Sequence, residues 1–172
     1  MAQKTVNMKQ AFGIEGEFYD SSIKRATNVR LGANAKIGKP LFRKADGTII
    51  PVGADATSAN YIGFAVNPKE HINLSGLDAT MEIAAGKYVA NADKGRVIVK
   101  AANAVKVGDK VYACKTAGTG TGETKNYAVG DICGGTAAPS STAAGGGVFI
   151  ELTGAKFDIA DAAAGDLAVV VL

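Results

Sequence analysis

The sequence predicts an all-β protein: a compact sandwich or barrel of short antiparallel strands, built from two similar hairpin units, with little helix. Three observations carry this. Short segments rich in Val and Ile recur at close spacing, and those at 12–18 and 147–153 alternate with the period of two that a half-buried strand shows. Glycine-based turn signals separate them. And the stretch "ANAKIGKPLFRKADGT", Ala33 to Thr48, returns in altered form as "ANAVKVGDKVYACKTAGT", Ala102 to Thr119.

Taken in chain order, "FGIEGEF" (12–18) alternates and reads as a first strand with Glu15 and Glu17 on one face. "KPLFRK" (39–44) leads into the turn "ADGT", and "TIIPV" (48–52) is its return strand. Pro51 cannot donate a ladder hydrogen bond, so that strand should lie at an edge or end there. "NYIGFAV" (60–66), "TMEIA" (80–84), "GRVIVKA" (95–101), "DKVYACK" (109–115), "NYAVGDIC" (126–133), "GVFIELT" (147–153) and the closing "LAVVVL" continue the series. Helical periodicity is nearly absent; short turns near 54–60 and 159–164 are the exceptions. "TAGTGTGETK" (116–125) and "GGTAAPSSTAAGGG" (134–147) read as loops, the second a surface loop or flexible arm.

In the repeat, Gly38 answers Gly108, Leu41 answers Val111, Phe42 answers Tyr112, and Gly47-Thr48 answers Gly118-Thr119. Tyr61–Val66 is matched to Ala128–Cys133, so the copies are expected to span 33–66 and 102–133. Each is one hairpin unit that cannot bury its apolar face alone. Gly38 and Gly108 should sit where φ is positive or the backbone is closely approached. The expected organisation is an N-terminal arm, 1–11, followed by one β domain, 12–172.

The composition excludes several function classes. Of 172 residues 47% are hydrophobic, much of it alanine, and only 6% are aromatic, with no Trp. Such a chain builds a thin core, since small apolar contacts bury little each. The net charge of +3 is spread without a basic run, so no nucleic-acid footprint is expected. No signal-peptide pattern is seen, and no run approaches the roughly 18–20 apolar residues of a membrane span. Cys114 and Cys133, nineteen positions apart, form neither a CxxC motif nor a disulfide framework. They read as two buried free thiols or, if their segments pair, a single bridge.

Residues able to do chemistry are sparse. His71 is the single histidine, Cys114 and Cys133 lie far from it in sequence, and it reads as a surface-loop residue. Glu15 and Glu17 lack the aromatic platforms a glycosidase needs, and Asp158, Asp161 and Asp166 lack the spacing of a calcium loop. "GTGTGETK" is not a phosphate loop, because Glu123 and Thr124 separate Gly122 from Lys125. No His/Cys cluster offers a zinc site. No enzyme, metal or cofactor is expected.

The order of the glycine motifs resembles the capsid cement, or head decoration, proteins of tailed bacteriophages. A "G-x-x-G-x-x-x-D" segment (Gly13, Gly16, Asp20) precedes a "G-x-P-L" strand (Gly38, Pro40, Leu41). A "D-G" turn (Asp46, Gly47) precedes "IG-x-A" (Ile62, Gly63, Ala65). "G-x-V-x-V" (Gly95, Val97, Val99), "V-x-x-G-D-x-V-Y" (Val105, Gly108, Asp109, Val111, Tyr112), "VG" (Val129, Gly130) and "V-x-I-x-L" (Val148, Ile150, Leu152) follow. The resemblance covers about 11–152. It implies a structural virion protein, made in the host bacterial cytoplasm, that binds the outer surface of the icosahedral shell and cements capsomers of the major capsid protein. It implies a homo-oligomer, a trimer rather than a dimer, touching neither nucleic acid nor membrane. The arm is the expected contact, through Gln3, Lys4, Asn7 and Lys9. The alternative is a carbohydrate- or receptor-binding module of a virion spike or fibre. A sugar binder needs aromatic faces on its loops, whereas the loops here carry Gly, Ala, Ser and Thr and place Tyr61 and Tyr127 near strand starts, which tilts against this alternative.

Overall fold

The computed structural model describes residues 13–21, 23–67, 81–118, 127–139 and 147–172. The strands are β1 (Arg25–Arg30), β2 (Ala35–Lys36), β3 (Pro40–Arg43), β4 (Ile49–Pro51), β5 (Tyr61–Val66), β6 (Glu82–Ile83), β7 (Tyr88–Lys94), β8 (Arg96–Lys100), β9 (Lys110–Thr116), β10 (Ile132–Gly135), β11 (Val148–Asp158) and β12 (Leu167–Val171). A single 3-10 turn, Ser58–Asn60, is the described helical element. All strand ladders are antiparallel.

Two five-stranded sheets carry the structure, ordered β1-β7-β5-β3-β4 and β10-β9-β11-β12-β8. Written from the other end, the second is β8-β12-β11-β9-β10, and the two orders then match strand for strand. The turns repeat as well. Leu31, just past β1, forms a parallel bridge with Ile49, and Ala101, just past β8, forms one with Ile132. Gly86 donates its N–H to Leu31 O and Gly165 to Ala101 O, both at 2.7 Å. These bridges bring the two outer strands of each sheet together at one end, so each sheet is strongly curled. The small β2-β6 ribbon, Ala35 opposite Ile83, has its counterpart in the bridge between Val105 and Ala162.

The repeat therefore extends beyond the hairpins, and one pairing in it changes. Tyr61–Val66 (β5) is answered by β11. β10 answers β4, through Ile49 and Ile132. The "IG" and "VG" dipeptides that suggested otherwise are local turn signals, whereas ladder position depends on strands far apart in sequence. β4 does lie at a sheet edge, where Pro51 can do without its N–H.

Several boundaries move. The segment 12–18 is not a strand: Phe12 lies outside the described residues, Glu15 and Gly16 form a turn, and only Phe18 bridges, to Val97. In the expected 126–133 strand, Asn126 lies outside the described residues and 127–131 are not in a strand; β10 runs over Ile132–Gly135, so Gly134 and Gly135 belong to the sheet rather than to the 134–147 loop. β11 continues to Asp158, with a register break between Glu151 and Lys156. Residues 159–164 form no helix.

The main core draws on both sheets: Phe42, Phe64, Val66 and Ala92 from the first, and Val99, Val111, Ile132, Leu152, Phe157 and Val170 from the second. A smaller cluster, with Leu31, Ile37, Leu41, Ile49 and Val89, fills the first unit alone. Matched positions thus have different surroundings. Leu41 belongs to the small cluster while Val111 belongs to the main core. The two units associate through unlike surfaces rather than as a self-complementary pair.

Candidate functional site

The described surface contains no group of three or more His, Cys, Asp or Glu side chains able to hold a metal. His71 and the four arm residues Gln3, Lys4, Asn7 and Lys9 lie outside the described residues. Glu15 and Glu17 sit in a turn rather than on one strand face. Lys39 Nζ lies 3.0 Å from Glu15 Oε1, and Glu17 Oε2 accepts from the Ile14 N–H at 3.4 Å. Asp161 accepts from the Val107 N–H at 3.0 Å, and Asp158 is held by Arg96. These carboxylates serve turns and ion pairs.

The cysteines are both free and buried. Cys114 Sγ lies 3.3 Å from Thr116 O, and burial pushes its thiol above the usual value, with the nearby Asp131 carboxylate adding to the effect. A thiol in this state is a poor nucleophile. Tyr61 offers no sugar-binding face: it packs against Phe42 and Phe64 with ring centroids 5.9 and 6.1 Å away, and burial drives its phenol far above its ordinary pKa. Tyr127 stands edge-on to Phe149 at 5.2 Å.

Two concavities stand out among the described residues. One, of about 330 Å³, lies between the sheets and is lined by Tyr61, Gly63 and Asp93 from the first and Thr153, Gly154 and Ala155 from the second. The other, of about 510 Å³, lies where the turns at Gly32, Gly47 and Gly86 converge. Neither brings a nucleophile beside a base.

The most developed feature outside the sheets is a strap, residues 13–20. Gly16 donates to Ile98 O at 2.7 Å, Ile98 donates to Glu17 O at 2.9 Å, and Tyr19 donates to Arg96 O at 2.9 Å. The strap thus bonds along the outer edge of β8, around the isolated bridge of Phe18 to Val97. It also holds the first unit, because the Asn67 N–H donates to Gly16 O at 2.9 Å. Glycine is required at this crossing. Gly16 and Gly38 have φ of +83° and +79°, and a Cβ on Gly16 would strike Ile37 and lie 2.8 Å from Gly38 N. Arg96 locks the strap's far end, with Nε 2.7 Å from Asp158 Oδ2 and a terminal nitrogen 3.1 Å from Asp20 Oδ2. The guanidinium holds the Asp158 carboxyl below the ordinary carboxylate range. The motif glycines Gly13 and Gly16 were legible in sequence; their role as a cross-brace was not, since both partners are distant.

The family model described as "Structural cement protein (E217 gp24/Pam3 gp6)" matches residues 2–172. No curated protein matches the chain. Among solved structures, a chain from the capsid of Myoviridae phage XM1 is similar with a TM-score of 0.61 and 19% identity. The match covers 99% of this chain and 96% of that one. At that identity the likeness is one of fold.

Proposed function

This chain belongs to the structural cement protein family of phages, with a structural role in the capsid, and from that premise we propose that it binds the outer surface of the icosahedral shell and braces neighbouring capsomers of the major capsid protein. The observation that carries the reading is the family match over 2–172. The geometry agrees with it. Among the described residues no convergent polar cluster offers catalysis. The protein is instead two curled sheets stacked through unlike faces and tied by a strap, a form suited to bearing load. A shell presents the same site many times, so each contact can be weak while the lattice gains through multivalency.

On this reading the protein acts as a homo-oligomer, a trimer in preference to a dimer, and residues 1–11 reach a neighbour through Gln3, Lys4, Asn7 and Lys9. The spike or fibre alternative gains nothing from Tyr61 and Tyr127, whose rings pack against other rings.

The test mixes purified protein with expanded, empty shells of the source phage. Stoichiometric binding that raises the shell's melting temperature is expected; absence of binding overturns the proposal. Removing residues 1–10 should lower occupancy, and unchanged occupancy would remove the arm from the contact.

A further inference from the structure

Resting on that capsid role, we infer that the open edge of β1 is a strand-addition site for an extended acidic segment of the shell protein. β1 and β8 hold the same place in the two sheets. Arg30 faces Tyr88 and Ala26 faces Ala92 in one; Lys100 faces Leu167 and Arg96 faces Val171 in the other. The outer edge of β8 is already occupied by the strap, which bonds the main-chain groups of Arg96 and Ile98. By ladder position the counterparts of these residues are Ala26 and Asn28. No described residue pairs with that side of β1. The strand is exposed along its length except at half-buried Val29, whereas Val97, Ile98 and Val99 of β8 are buried. An unpaired edge of six residues is a template for another chain.

Charge selects the occupant. Lys24, Arg25, Arg30, Lys87 and Lys94 lie on or beside the β1-β7 pair. Asp93 is the one acid in these two strands, and Arg25 already grips it at 2.7 Å. In the strap that fills the equivalent edge of β8, Asp20 pairs with Arg96 of that strand at 3.1 Å, so the protein shows in its own second unit an acidic residue seated against a basic one at such an edge. Other occupants fit less well. Residues 1–11 contain Lys4 and Lys9 and no acid, so a neighbouring copy's arm would bring like charge. Antiparallel pairing of two β1 strands would set Arg25 of one copy near Arg30 of the other, which is repulsive.

The test uses the full chain on expanded, empty shells. Hydrogen exchange of the wild-type peptide covering 25–30 should slow on the shell. The variant Asn28→Pro removes an outward-facing donor at an edge, where proline is tolerated. It should weaken binding about tenfold or more, as expected for at least one lost hydrogen bond plus blocked neighbours. The pair Arg30→Glu with Lys94→Glu leaves the backbone intact and should weaken binding and flatten its salt dependence. Wild-type protein that fails to bind overturns the capsid proposal and this inference together. Full occupancy with 25–30 unprotected, or unchanged affinity of the folded charge-reversed variant, overturns this inference alone.

Discussion

Gly134→Ala is expected to destabilise the fold by steric crowding alone, and the effect should be relieved by shrinking one neighbour. Gly134 sits on β10 against the main core. A Cβ placed there would lie 2.6 Å from Val105 Cγ1 and 2.7 and 2.9 Å from two ring atoms of Phe157. Both neighbours are 2% exposed, so neither has solvent to move into. The backbone cannot withdraw easily either: Asn103 accepts from the Gly134 N–H at 2.9 Å and donates to Gly134 O at 2.8 Å. Overpacking of this kind costs about 1–3 kcal/mol. At this chain length each kcal/mol lowers Tm by roughly 2–4 °C. Phe157→Leu alone should cost about 1–2 kcal/mol through the space it leaves. Combined, the two changes should destabilise by at least ~1 kcal/mol less than their sum, because the new methyl fills what the ring vacates. Equilibrium urea unfolding of the wild type, both single variants and the double variant closes the cycle. Additivity within about 0.5 kcal/mol would refute the packing argument.

Two further outcomes follow from the ion pair and the thiols. Arg96 lowers the Asp158 carboxyl in the folded protein, so the associated stability is present above the unfolded carboxylate range near ~3.9 and is lost as pH falls through the lower folded value. The stability difference between wild type and Asp158→Asn should therefore shrink between about pH 5 and pH 3; a constant gap in urea titrations would assign the pair no role. Cys114 and Cys133 should resist iodoacetamide in the native protein and both react in denaturant, with Tm unchanged by reductant. Rapid native labelling or a reductant-sensitive Tm would contradict the buried free thiols.

Much of the strand plan was legible because it is written in local chemistry. Short apolar runs rich in Val and Ile, bounded by glycine turn signals, located β3, β5, β8, β9 and β12 to within a few residues. The Asp46-Gly47 turn and Pro51 placed a hairpin ending in an edge strand. Gly38 and Gly108, matched across the repeat, both have positive φ, +79° and +90°. The candidate site was less legible. The 12–18 segment alternates like a strand, yet the turn at Gly16 is imposed by Ile37, Gly38 and Asn67 on one side and Ile98 on the other.

By itself, then, the sequence determined an all-β chain, its glycine turns and the existence of two related units, since backbone sterics and side-chain alternation act over a few residues. Only the tertiary structure decided that β10 answers β4, that Leu41 and Val111 lie in different cores, and that one outer strand is strapped while no described residue pairs with the outer side of its counterpart. Those outcomes depend on which distant strands meet and which face each unit turns toward the other. Ladder pairing and burial across such separations leave no periodic trace in the chain.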